Sequence, residues 1–229
     1  MKIGLITVYF GLFDEALPPT FRQERTNLNK KIEGGLSVYG QVINPGLIDN
    51  ENSAEFANQL FITESLDVIV YAPTMAAPPI YFQKSINSIN TPIMCISPQE
   101  FRTTPDDYDT DAGTEHSTLV GLTMGTNILV REGINFNVSV LHVDDIPSSN
   151  ELKSFFDLIK SDQEILSGDI DYQGVIEPSQ SPKVKKAINA FKKYSIIAIG
   201  DPIDGYLDVE MTAEDAGIFD IDIKKISKN

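Results

Sequence analysis

The feature that most constrains this chain is a series of short apolar runs separated by segments of helical period. Residues 3–9, 36–43, 66–71, 93–97 and 136–143 are each rich in Val, Ile or aromatic side chains and end at Gly, Pro or Asp. They are continuous runs rather than strict alternations, which indicates strands covered on both faces. Between them, apolar residues recur at helical spacing: Phe21, Leu28 and Ile32 within residues 20–31; Ala54, Ala57, Leu60 and Phe61; and Phe82, Ile86 and Ile89. Strand-helix-strand order implies right-handed crossovers and a parallel sheet. The expected fold class is α/β: a doubly wound, five-stranded parallel sheet of flavodoxin/Rossmann-like kind over residues 1–145. A second, incomplete α/β domain over residues 146–229 is expected to follow.

Residues 119–130 are apolar nearly all round and carry Gly121 and Gly125 four apart. Such a helix is expected to be buried, with the glycines admitting a close neighbour inside the fold or in a second subunit. After Asp144-Asp145, Ser148 and Glu151 have capping-box spacing, and Leu152, Phe155, Phe156 and Ile159 form an apolar stripe. Residues 161–182 read as a polar loop or weak strand. Another amphipathic helix (Val184, Ala187, Ile188, Phe191) and strands at 195–200 and 219–223 complete the chain. The last two strands lack the elements that would finish a second layer, so the chain reads as part of a longer protein.

Composition narrows the function. The 33 acidic and 18 basic residues give a formal charge of -15, which repels phosphate backbones and anionic lipid. Nucleic acid and membrane are therefore poor partners, and no stretch reaches the ~18 apolar residues of a membrane span. Cys95 is the single cysteine; it permits no intrachain disulfide, fits a cytoplasmic location, and reads as a small buried hydrophobe in its apolar run.

In a doubly wound sheet, ligands bind beyond the carboxyl ends of the strands where the strand order reverses. The loops there are Tyr9-Phe10-Gly11-Leu12-Phe13, residues 72–79 including Met75, and Ser97-Pro98-Gln99. Neither Gly-x-Gly-x-x-Gly nor Gly-Lys-Ser/Thr occurs in them, so both phosphate cradles are missing. Aromatic faces with a few polar groups suit the apolar face and hydroxyls of a sugar, although Phe10 and Phe13 can equally serve as packing.

The only histidines are His116 and His142. His142 falls inside the fifth strand pattern and reads as a hydrogen-bonded sheet residue. His116 follows Glu115 at the head of the apolar helix, where an imidazole could bind a ligand or move protons. No three His or carboxylate residues have convincing metal-ligand spacing, no Gly-x-Ser-x-Gly elbow occurs, and residues 106–111 lack the later Glu of a calcium loop.

The succession Val68-Ile69-Val70-Tyr71-Ala72-Pro73-Thr74-Met75, Thr91-Pro92-Ile93-Met94 and Gly113-Thr114-Glu115-His116-Ser117 resembles the L-fucose/L-arabinose isomerase family. Ile196-Ile197-Ala198-Ile199-Gly200-Asp201-Pro202 and Gly205-Tyr206-Leu207-Asp208-Val209 are similar to the start of that family's central domain. The resemblance spans nearly the whole chain and rests on the order of several motifs. It implies aldose–ketose isomerisation on a divalent metal, manganese, held by residues in the later half of a longer chain. This stretch would then bind no cofactor and would be inactive alone, capping the substrate site of a neighbouring subunit in a homo-oligomer. It further implies that His116 reaches the sugar and that Phe10 and Phe13 stand at the family's substrate-contacting places after the first strand; Glu115 beside His116, and Met75 and Gln99 of the switch-point loops, are the other expected substrate-binding residues. Where the family uses Gln and Tyr after the first strand, this chain has Phe10 and Phe13. The alternatives are a non-catalytic sugar-binding module or regulator and, less well matched, a flavodoxin-like redox protein, whose first loop would be rich in Ser and Thr.

Overall fold

Ile3, Leu5, Ile6 and Val8 are almost wholly buried, and their side chains alternate between two cores. They belong to β1 (Lys2–Val8), the middle of the sheet, in a computed structural model that describes residues 1–161, 181–191, 195–200, 204–206, 217 and 222–226. β1 pairs in parallel with β2 (Gln41–Ile43) and β3 (Leu47–Ile48) on one side and with β4 (Val68–Tyr71) on the other. β5 (Ile93–Gln99) and β6 (Asn137–His142) complete a six-stranded parallel sheet in the order β2-β1-β4-β5-β6, with β3 beside the carboxyl half of β1. This is a Rossmann-like, doubly wound α/β fold, as the apolar runs imply.

Helices cover both faces. On one, α2 (Thr20–Leu36) brings Leu28, Ile32 and Leu36 against Ile3, Leu5, Val70 and Met94. On the other, Ala54, Ala57 and Phe61 of α3 (Glu51–Glu64), Phe82 of α4 (Ile80–Ile86), and Leu122 and Leu129 of α6 (Thr118–Arg131) pack on Ile6, Ile69, Tyr71 and Cys95. Two short helices lie at the carboxyl edge of the sheet, α1 (Phe13–Ala16) and α5 (Thr110–Glu115). Asp109, within the acidic run, caps α5 by accepting from the N–H of Ala112 at 2.9 Å.

Three expectations are corrected. The apolar run at 36–43 is not one strand: α2 continues through Leu36, and only Gln41–Ile43 pairs with β1, followed by the short additional β3. Leu36 belongs to the α2 stripe instead, because it falls four residues after Ile32 and fills the same core. The helix at 118–131 is not buried all round, since Leu119, Val120 and Val130 lie exposed on its outer face. Ser148 does not cap α7 (Asn150–Lys160). The cap is Ser149, which accepts from the N–H of Leu152 at 3.2 Å, while Glu151 turns away to accept from the Ser139 hydroxyl at 2.6 Å.

The first compact unit runs from Met1 to Gly168. It therefore takes in α7, whose Leu152, Phe155 and Phe156 join the α2-side core. The stacking of Phe156 on Tyr39 at 4.6 Å and the bond from the Tyr39 hydroxyl to the Ile146 carbonyl at 2.7 Å fix that junction. The second unit, Asp169–Asn229, contains α8 (Ser181–Phe191) and a parallel pair, β7 (Ser195–Ile199) and β8 (Asp222–Ile226). The expected loop at 162–180 and residues 219–221 of the last expected strand lie outside the described residues. Among the described residues no helix is long and apolar enough to cross a membrane.

Candidate functional site

The strand order reverses between β1 and β4, and the carboxyl ends of both strands are tied together there. The Thr74 hydroxyl donates to the Val8 carbonyl at 2.7 Å. The Thr74 carbonyl in turn accepts from Arg25 Nη1 at 3.1 Å. Arg25 lies on the apolar stripe of α2 between Phe21 and Leu28 and is only 1% exposed. A lone buried guanidinium would be prohibitively costly. Here it is paired with Glu100, the residue after β5, through Nη1 to Oε2 at 2.6 Å and Nη2 to Oε1 at 3.1 Å.

Glu100 organises the rest of the site. Its Oε2 also lies 2.7 Å from Nδ1 of His116, at the junction of α5 and α6. Its backbone carbonyl lies 3.2 Å from Nε2 of His142, at the end of β6. Burial acts to raise the Glu100 carboxyl pKa, but the hydrogen bonds and charges of His116 and Arg25 outweigh it and hold the group below the usual carboxylate range. Glu100 is thus an ionised acceptor at the mouth of the sheet.

A cavity of about 310 Å³ opens beside this pair, the size of a small ligand site. Gln99, Glu100, Phe101, Tyr108, His116 and Thr118 supply its wall. Gln99 is locked, donating through Nε2 to the Ser97 hydroxyl at 2.6 Å and to the Thr118 hydroxyl at 3.0 Å. The Phe101 ring meets the His116 imidazole edge to face at 4.5 Å and also approaches Tyr108. Ser117 anchors the loop by accepting from the Ala76 N–H at 2.9 Å while donating to the Thr114 carbonyl at 2.7 Å. The wall combines an aromatic face, a carboxylate, an amide and an imidazole. That set can stack on an apolar ring face and exchange hydrogen bonds with hydroxyls.

The structure brings together His116 and Gln99 from the residues singled out in sequence. Glu115 is partly buried at the end of α5, next to His116 in the chain. Phe10, Phe13 and Met75 gather elsewhere, in a small cluster with Tyr9 and Phe21. Met75 is fully buried, and Phe10 and Phe13 meet edge to face at 5.5 Å. Beside that cluster Arg22 joins Asp14 in a two-pronged ion pair, reaches Asp49 at 2.7 Å, and covers the Tyr9 ring at 4.5 Å. Arg25, Glu100, Phe101, Tyr108 and Thr118 were missed by sequence reasoning. Arg25 left a legible signal: it is a charged residue at an apolar-stripe position, four after Phe21 and three before Leu28. Glu100 left none, since its role depends on β5 and α2 meeting in space.

Among the described residues no three His, Cys, Asp or Glu side chains stand together as a metal ion needs. No family model and no curated protein matches the chain.

Proposed function

We propose that this chain is the substrate-capping portion of an aldose–ketose isomerase of the L-arabinose/L-fucose type. It binds the open or cyclic sugar through the cavity beside His116 and leaves the isomerising centre to other residues. The observation that carries the reading is the placement of His116. The histidine that the resemblance assigns to the sugar stands at the carboxyl edge of the sheet, held by Glu100 and walled by Phe101 and Gln99. Sugar sites need such a mixture: a ring face for the C–H side of the sugar and fixed donors and acceptors for its hydroxyls. The strongly acidic chain also suits a neutral ligand better than a phosphorylated one.

Two measurements test this. In amide NMR spectra, L-arabinose or L-fucose is expected to shift residues 99–104 and 116–118, and His116→Ala is expected to abolish those shifts. The full gene product with manganese is expected to form ketose from one of the two sugars, with His116→Ala lowering kcat/KM by about 10²-fold. A folded chain that leaves both spectra unmoved, with a gene product that forms no ketose, would overturn the proposal. Sugar binding without ketose formation would favour a binding module or regulator instead.

A further inference from the structure

An ionised carboxylate can only accept hydrogen bonds. Since Glu100 Oε2 stands 2.7 Å from His116 Nδ1, the hydrogen of that contact belongs to Nδ1. In the neutral ring Nε2 then carries the lone pair. Among the described residues Nε2 has no hydrogen-bond partner, and His116 lines the cavity.

We infer that Arg25 is a positioning residue for this site: through Glu100 it fixes the His116 ring in its Nδ1–H form, so that Nε2 accepts a hydrogen bond from a ligand hydroxyl. The inference rests on the sugar-binding reading for the identity of the ligand. It does not rest on that reading for the state of the ring.

Three observations support it. First, Arg25 is a poor choice for stability alone. It occupies an apolar stripe, it is buried, and its Nε–H has no hydrogen-bond partner. Buried ion pairs are weak stabilisers compared with apolar residues of similar volume, so a leucine in register with Phe21 and Leu28 would serve the core at least as well. Second, the geometry is doubly anchored. Arg25 Nη1 bonds the Thr74 carbonyl as well as Glu100, so the carboxylate is referenced to the strand ends at the switch point rather than to a mobile loop. Third, His142 shows the contrasting arrangement. Its Nδ1 accepts from the Asp144 N–H at 3.2 Å, so its Nε2 donates to the Glu100 carbonyl. Both of its nitrogens are used inside the fold, and it has the opposite tautomer.

The test is the nitrogen spectrum of the imidazoles in protein labelled with ¹⁵N-histidine, recorded at mildly alkaline pH. The natural chain is expected to show His116 as the Nδ1–H form and His142 as the Nε2–H form. Oε2 of Glu100 serves Arg25 Nη1 and His116 Nδ1 together, so the paired replacement Arg25→Leu with Glu100→Leu removes both charges and the acceptor at once, and His116 is expected to shift toward the Nε2–H form that an unrestrained imidazole side chain favours. Arg25→Leu is expected to leave His116 a mixture of forms, with Arg25→Lys restoring part of the preference. The His142 signal, unchanged, reports that the fold is intact. L-Arabinose affinity is expected to fall at least tenfold in the paired replacement, because the site then offers a donor where the ligand also donates.

A natural chain with His116 in the Nε2–H form would overturn the inference, as would a folded chain carrying Arg25→Leu with Glu100→Leu whose His116 tautomer does not change. Tautomers that follow Arg25 and Glu100 in a chain that binds no sugar would sustain the positioning role and sink the sugar reading. Sugar affinity that survives an unchanged tautomer in the paired replacement would do the reverse.

Discussion

Gly125 of α6 lies directly against the ring of Tyr71 at the end of β4, closer than any Cβ could approach. The Tyr71 ring is stacked on Phe82 at 4.1 Å, and its hydroxyl donates to the Gly121 carbonyl at 2.9 Å. The two glycines of α6 thus serve one internal contact, with Gly121 set against the Met75 backbone and Gly125 against Tyr71. Gly125→Ala is expected to destabilise the first unit by about 1–3 kcal/mol through overpacking, measured by denaturant titration. The contrast lies in α2. Gly34 has open space around it, and Gly34→Ala is expected to stabilise by about 0.5–1 kcal/mol because the helix loses a flexible residue. A Cβ at Gly35 would come within 2.9 Å of Ile146 Cγ2, so its alanine variant is expected to show no such gain.

The acid limb of stability is expected to depend on Glu100. Its folded-state pKa lies below the ordinary 4.5, as hydrogen bonds from His116 and Arg25 prevail over burial. A depressed pKa means that the unfolded chain binds the proton first. The contribution is complete above about pH 4.5 and is lost as pH falls through the folded value. Unfolding free energy measured downward from neutral pH is expected to decline less steeply in Glu100→Gln than in the natural chain.

The alkaline limb is expected to show the opposite sign, through Tyr9. Burial, then the hydrogen bond to Asp14 and its charge, push the Tyr9 hydroxyl from 10.0 to about 12. Tyr39 is raised in the same direction by burial. A raised pKa gives stability that is present below about pH 10 and disappears as pH climbs toward the folded value. Tyr9→Phe is expected to flatten the decline between those limits, followed by circular dichroism across an alkaline titration.

Cys95 sits in the middle of β5 with no exposed surface, and burial pushes its thiol pKa far up. Thiolate is the reactive form. Labelling by a thiol reagent at neutral pH is expected to be undetectable in the folded chain and complete after unfolding. Fast labelling of native protein would mean that β5 opens locally.

The central strands β1, β4 and β5 were legible because they are buried on both faces, so a plain apolar run marks each one, whereas the edge strand β6 leaves Val138 and Val140 exposed. The run at 36–43 misled because it joins the last turn of a helix to a three-residue strand, and both are apolar for the same reason: they contact one core. The outer face of α6 was misread because apolar composition around a helix does not say whether the sheet continues past it; here β6 is the edge strand. At the site, His116 and Gln99 stood out by residue type and loop position. Their partners did not: the Arg25–Glu100 pair spans 75 residues of sequence, a separation at which no local pattern survives. Phe10 and Phe13 are aromatic and adjacent to the first strand, but their rings meet each other, as their packing reading allowed.

One residue anchors both histidines of the chain, with its side chain on His116 and its peptide carbonyl on His142. The two rings are therefore yoked. A ligand that displaces the end of β5 by a fraction of an ångström must disturb both at once, so His142, which does not line the cavity, becomes a built-in gauge of whether the strand has moved or only the ring has turned.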